Sequence, residues 1–312
     1  MQMENKLEYT DDLFVRTNKK YKEEVSVARH SVWRDIKKEL LSNKIAVVCL
    51  VILCVIIIAS FLAPLSPYDP NAIDVTHKLE GPSSAHWFGT DDYGRDYFTR
   101  ALYGGRVSLT VGFSAMIVTV ILGTAIGVIS GYVGGKLDIL MMRFTDIFLA
   151  LPSMLLMIVL NTMLSPGLVT LILVLSLFSW ASVARITRAE TMSLKERDFV
   201  VASKNLGAGN ILIAVKHIVP NIMGPVTVAA SLGVANAILT ESSLSFLGLG
   251  VQIPQASWGS MLQGAQSHIM DTPMLAIYPG VLILFTVFPF GSINSSIITS
   301  SSIIICCHIL MS

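Results

Sequence analysis

Side chains able to do chemistry are few in this chain of 312 residues, and they do not cluster. Its six histidines, at positions 30, 77, 86, 217, 268 and 308, are scattered, which argues against a metal site. Cys49 and Cys54 lie in an apolar stretch and Cys306-Cys307 are adjacent, so no C-x-x-C suggests zinc or a disulfide framework. No H-E-x-x-H or G-x-S-x-G occurs. Gly134-Gly135-Lys136 is not a phosphate loop, because no glycine stands five residues before Gly135 and Leu137 follows the lysine. The chain therefore carries no nucleotide site of its own. What remains is a set of ionisable groups inside apolar stretches, namely Arg143, Asp146 and Glu241. Each costs about 2.5–3.5 kcal/mol at the centre of a membrane, so each needs a partner or a role. Arg143 and Asp146 stand one helical turn apart and are expected to form a structural i,i+3 pair. Glu241, followed by Ser242, admits two readings: a carboxylate held by neighbouring helices, or part of an external gate.

The elements that position these groups are membrane spans. The chain is 53% hydrophobic and 14% charged, with a mean hydropathy of +0.67. Soluble domains are about a quarter charged. The net charge of +1 is no argument for nucleic acid, and none is expected as a partner. Residues 1–44 are polar and read as a cytoplasmic arm, with an interfacial helix over Ser31–Leu41 anchored at membrane lipid by Trp33 and lysines. A first span follows over 45–63, then an external loop over 64–106. The remaining spans fall at Val107–Tyr132, Ile139–Met163, Gly167–Ala184, Ile222–Leu247 and Met274 to about Ile293. Six spans place both termini inside. Gly123 and Gly127 form a G-x-x-x-G face for close helix approach, and Pro152 is expected to kink the third span. Glycines 89, 94, 104 and 105 are read as allowing tight turns in the external loop.

One polar interruption, 198–221, is basic and faces the cytoplasm by the positive-inside rule. Phe199 to Leu206 suits a short helix, Gly207 and Gly209 break it, and Ile211, Leu212 and Val215 recur at helical spacing until Pro220 stops the second helix. A helix–Gly–helix elbow of this kind has the form of a plug for a partner's groove.

Here the chain resembles a known family. Ala202-Ser203, Gly207 and His217-Ile218-Val219-Pro220-Asn221 look like the EAA loop of ABC-importer permeases, with Val201 in the family's Glu position. His86, Gly89-Thr90-Asp91 and Gly94-Arg95-Asp96 resemble the H-P-L-G-T-D-x-x-G-R-D signature of the C-type permease of dipeptide, oligopeptide and nickel importers, with Trp87-Phe88 for Pro-Leu. Glu241 to Gly250 resembles the family's E-x-x-L-S-F-L-G-L-G run, and Pro254 to Leu262, with Trp258, its external turn and short helix, read as a docking surface for a binding protein.

The resemblance implies an all-α polytopic protein of about six spans, with a five-helix type I importer core at 107–293. It implies a non-enzymatic permease subunit in the cytoplasmic membrane of a bacterium. Its partners would be a second homologous permease, two ATP-binding subunits that hold the only ATP, and an extracytoplasmic substrate-binding protein. Coupling would fall to Ala202, Ser203, Gly207, His217 and Pro220, and gate or pathway roles to Glu241, Ser242 and Trp258. The cargo would be peptides, with nickel or another small solute as the alternative. A stand-alone secondary transporter needs no coupling loop, and a membrane-embedded enzyme needs a catalytic constellation. The tail 294–312 departs from the family, which continues into an Asp/Arg-rich end. A shift of reading frame near Phe288 would account for the uncharged Ser- and Ile-rich segment found here.

Overall fold

A computed structural model describes residues 43–165 and 167–310 of the chain. The expected interfacial helix at Ser31–Leu41 lies outside them. The first helix, α1, runs Lys44–Phe61, where the Asn43 side chain accepts from the Ile45 and Ala46 amides. It is apolar all round, with Val48, Val51, Val55 and Ile58 exposed, as befits a helix whose solvent is lipid. Its length, about 27 Å, matches the hydrocarbon core.

The second helix, α2, spans Tyr97–Val133 and is the axis of the bundle. It starts at Tyr97, not Val107, because Asp96 caps it by accepting from the Thr99 amide at 2.8 Å. Gly104 and Gly105 are consequently helical and form no turn. Smallness is what they supply: a Cβ on Gly105 would lie 2.3 Å from Ser60 Oγ and 2.7 Å from Trp258 Cζ2, and one on Gly104 3.2 Å from the Ser257 backbone. Further along, Gly123, Gly127 and Gly131 let α2 close against α5 (Leu168–Lys195). A Cβ at Gly127 would stand 1.8 Å from Thr187 Oγ1 and 2.5 Å from the Ala184 carbonyl. This is the close approach that the G-x-x-x-G spacing predicts.

Between them lie α3 (Gly135–Ala150) and α4 (Ser153–Met163), bent by 83° at Leu151-Pro152. The expected single kinked span is thus two separate helices at a sharp bend, the form of a broken span or of a re-entrant pair. Pro152 lacks an N–H and forces Leu151 into extended backbone, φ −80° and ψ 142°. Helix α5 continues past Ala184, where the apolar run ends, because its polar last turns bond α2 and α3.

Beyond α5 come α6 (Asp198–Asn205) and α7 (Asn210–Ile213). One π turn, Ala214–Ile218, then leads without a break into α8 (Val219–Phe246). Contrary to the expectation, Pro220 does not stop the second helix; its missing N–H falls where the bonding register has just widened. Asn221 Nδ2 donates to the His217 carbonyl at 2.6 Å there. The short α9 (Trp258–Ala265) and the long α10 (Met274–Leu310) complete the bundle. Its core joins Leu109, Ile238, Trp258, Met261, Leu275 and Ile283. In all, five described helices are long and apolar enough to cross a membrane, or six if α3 and α4 count as one span.

Candidate functional site

Two opposite ends of the bundle carry the residues singled out in the sequence. At one end stands the elbow. Helix α6 closes with a Schellman motif: the Gly207 amide donates to the Lys204 carbonyl at 3.0 Å and the Ala208 amide to that of Ser203 at 3.1 Å. Gly207 has φ +83°, the left-handed backbone this motif needs, and its missing Cβ faces open space. The two arms then divide their aliphatics. Val200, Ile213, Ile218 and Ile222 are buried with Val128 and Val226, fixing the elbow to α2 and α8. Leu206 (88% exposed), Ile211 (81%) and Val215 (62%) project outward. Ser203 and His217 meet across the elbow, Oγ to Nε2 at 3.4 Å, while Ala202 lies exposed and Pro220 sits at the start of α8.

At the other end, the segment before α2 folds into a polar knot. Asp91 accepts from the amides of Tyr93 (2.9 Å) and Arg95 (3.0 Å) and from Arg95 Nε (2.7 Å), with Arg100 Nε 3.4 Å away. Thr90 donates to the His77 carbonyl at 2.5 Å and accepts from the Glu80 amide. Asp96, already the cap of α2, also bonds His86 Nδ1 at 2.8 Å. Gly89 and Gly94 have φ of +76° and +75°, and a Cβ at Gly94 would fall 1.7 Å from the Asp74 carbonyl. Thr90, Asp91, Arg95 and Asp96 are thus all spent on internal geometry. Burial of Asp92 beside Asp91 pushes its carboxyl up, whereas Thr76 and His77 hold the exposed Asp74 down at about 2.

Residues 123–302 match the model for the binding-protein-dependent transport system inner membrane component. Residues 31–82 match that for the N-terminal TM domain of oligopeptide transport permease C. The chain belongs to this permease family. It is the C-type permease subunit of an ABC importer, a transporter subunit and not an enzyme. A dipeptide transport system permease of Alkalihalophilus pseudofirmus is 40% identical over 86% of this chain and 88% of its own. The oligopeptide transport system permease of Bacillus subtilis is 40% identical over 88% and 90%. A glutathione transport system permease of Pectobacterium atrosepticum is 36% identical over 85% and 89%.

Within the permease, Glu241 is wholly buried and bound by hydroxyls alone. Ser108 of α2 donates to its Oε2 at 2.9 Å and Ser245 of α8 to its Oε1 at 2.7 Å, with Ser242 at 3.5 Å. Ser257 Oγ in turn donates to Ser245, and the Trp258 amide to Ser108. The carboxyl thereby ties α2, α8 and α9 together. Trp258 is fully buried, its indole donating to the Ala101 carbonyl at 3.0 Å. Neither side chain reaches the outer surface of this subunit.

The Arg143–Asp146 pair is loose, at 3.9 Å with Arg143 80% exposed. Asp146 is held instead by Arg185 of α5 at 2.7 Å, so the expected local pair is chiefly an interhelical one. The tighter ion pair was missed in the sequence. Arg188 of α5 grips Asp138 of α3 with two bonds, 2.6 and 2.7 Å, and Ser130 of α2 donates to the same carboxylate. Lys195 then caps the end of α2 through the Gly131 carbonyl at 3.1 Å. These bonds brace α2, α3 and α5 directly beneath the elbow. Their one sequence signal was an acidic residue just after the Gly134-Gly135 turn, opposite an excess of basic residues far along the chain.

Proposed function

We propose that this subunit forms half of a peptide pathway across the cytoplasmic membrane, with both termini inside and the 198–221 elbow in the cytoplasm. The observation that carries the reading is the elbow itself. A folding core has no use for Leu206, Ile211 and Val215 held outward on a braced, left-handed Gly207 turn. A cleft in an ATP-hydrolysing partner does. The other half of the pathway is a second homologous permease, and an extracytoplasmic binding protein delivers cargo to the end bearing the polar knot and α9. Peptide cargo is supported by relatives of about 40% identity whose names specify dipeptide or oligopeptide transport.

In mechanism, closure of the ATPase pair pushes the elbow. The Asp138–Arg188 fork and the glycine-packed α2–α5 contact transmit the push without bending. At the far end the Glu241 network holds α9 to α2 and α8, so the outer platform moves with them. Cysteine cross-linking tests this. Leu206→Cys, in a chain lacking its native cysteines, is expected to join the ATPase subunit through a thiol-attached photoactivatable cross-linker in the four-subunit complex, and assembly is expected to shield the unmodified thiol from water-soluble reagents. Full reagent access in the assembled complex would leave the elbow without a partner and favour a stand-alone transporter.

A further inference from the structure

The outer end of α2 carries a second feature. A cavity of about 460 Å³ is bounded by Pro70, Tyr103, Arg106, Thr110, Leu168 and Gln255, among others, within the size range of small-ligand sites. Arg106 is its only charged wall. Three arginines stand at this end of the bundle, and two are spent: Arg95 and Arg100 converge on Asp91, and Arg100 also donates to the Pro70 carbonyl. Arg106 has no carboxylate within ion-pair distance among the described residues, and it is exposed. The cavity wall holds no Asp or Glu, so this guanidinium is left unneutralised there.

Its position on the helix adds the second half of the argument. Arg106 heads a row of uncovered residues at helical spacing, Thr110, Phe113, Ile117 and Ile121. Ser108 and Leu109, on other faces, are buried in the bundle. An unpaired guanidinium at the mouth of a span faces water and not hydrocarbon. On the reading that two permeases enclose a pathway, an uncovered row of this kind lines it.

We propose that Arg106 binds the terminal carboxylate of a peptide as it enters the pathway. The proposal rests on the permease reading above. A pathway that accepts many peptide sequences has to read groups they share, and the terminal carboxylate is one. A guanidinium is the side chain suited to it, through two parallel N–H donors. Tyr103, Thr110 and Gln255 offer neutral polar contacts around it.

The first test reads the cavity's charge and needs no cargo. Thr110→Cys, in a cysteine-free chain within the four-subunit complex, is treated with anionic and cationic thiosulfonate reagents of similar size. Arg106 is expected to raise the anionic-to-cationic rate ratio about tenfold over Arg106→Gln. An unchanged ratio overturns the proposal. The second test measures ATP-driven uptake into proteoliposomes of one dipeptide, as free acid and as C-terminal amide, at saturating binding protein. Arg106→Gln is expected to slow the acid about tenfold and leave the amide unchanged, with Arg106→Lys intermediate. Equal losses for acid and amide would assign Arg106 to a lipid or subunit contact and overturn the proposal. Absence of ATP-driven uptake in the unaltered complex would instead defeat the permease reading, while the reagent ratio still reports on the cavity.

Discussion

Gly207→Val isolates the elbow from the rest of the molecule. At φ +83° a residue with a Cβ pays about 1–2 kcal/mol for left-handed backbone, and β-branching adds to it. Packing does not oppose a Cβ there, since no heavy atom beyond the adjoining residues lies within 4 Å of its position. The cost therefore falls on the Schellman turn alone, through the bonds from Gly207 to Lys204 and from Ala208 to Ser203. The bundle below is untouched, because Val200, Ile213 and Ile218 stay buried on their own helices. Insertion and thermal stability in detergent are expected to match the unaltered subunit. ATP-driven peptide uptake is expected to collapse, while the ATPase subunits lose stimulation by loaded binding protein. Gly207→Asn, which tolerates left-handed backbone, is expected to retain most uptake. Unaltered uptake by a well-expressed Gly207→Val complex would refute the reasoning, and so would equal loss in the Asn and Val variants.

Other outcomes follow from the same geometry. Gly127→Ala, whose Cβ would meet Thr187 at 1.8 Å and the Ala184 backbone at 2.5 Å, is expected to part α2 from α5 and abolish a folded subunit, seen as loss of a monodisperse complex; normal yield would count against the close packing. Arg188→Ala, which leaves Asp138 with the Ser130 hydroxyl as its hydrogen-bond donor, is expected to cost about 2 kcal/mol and lower the melting temperature, with Arg188→Lys recovering part; an unshifted melt would remove the brace beneath the elbow. The exposed Asp74–His77 turn has opposing limits. The Asp74 partner raises the histidine above its ordinary 6.5, and that contribution is lost as pH rises through the raised value. Asp74 is held at about 2, so its own contribution is lost as pH falls below the ordinary 3.8. Protection of the turn's amides, as the intrinsic exchange rate at each pH divided by the observed rate, is expected to be greatest between those two ordinary values, and protection that does not fall on both sides would break the assignment. In the underlying DNA, an alternative frame beyond Phe288 is expected to encode an Asp/Arg-rich tail; if neither other frame does, the frame-shift idea fails.

The apolar run lengths, the basic loop and its glycine determined most of the architecture by themselves, because hydrocarbon leaves a spanning chain little besides helix. Family membership was equally legible, carried by Gly89 to Asp96 and by Ala202 to Asn221. Tertiary structure decided what these residues are for. Thr90, Asp91 and Asp96 read only as part of an external loop with a family signature, yet each is consumed in a knot whose partners at Asp74, His77, Glu80 and His86 no local pattern announces. Gly104 and Gly105 looked like turn residues because turn and close packing both demand a missing side chain. Only the position of Trp258, far along the chain, separates the two. Asp146 chose Arg185 over its neighbour Arg143 for the same reason: spacing along one helix fixes which groups can meet, and helix packing fixes which do. Glu241 stayed ambiguous until Ser108, Ser245 and Ser257 were seen around it from three parts of the chain. A buried carboxylate is defined by what surrounds it, and those surroundings exist only once the helices have packed.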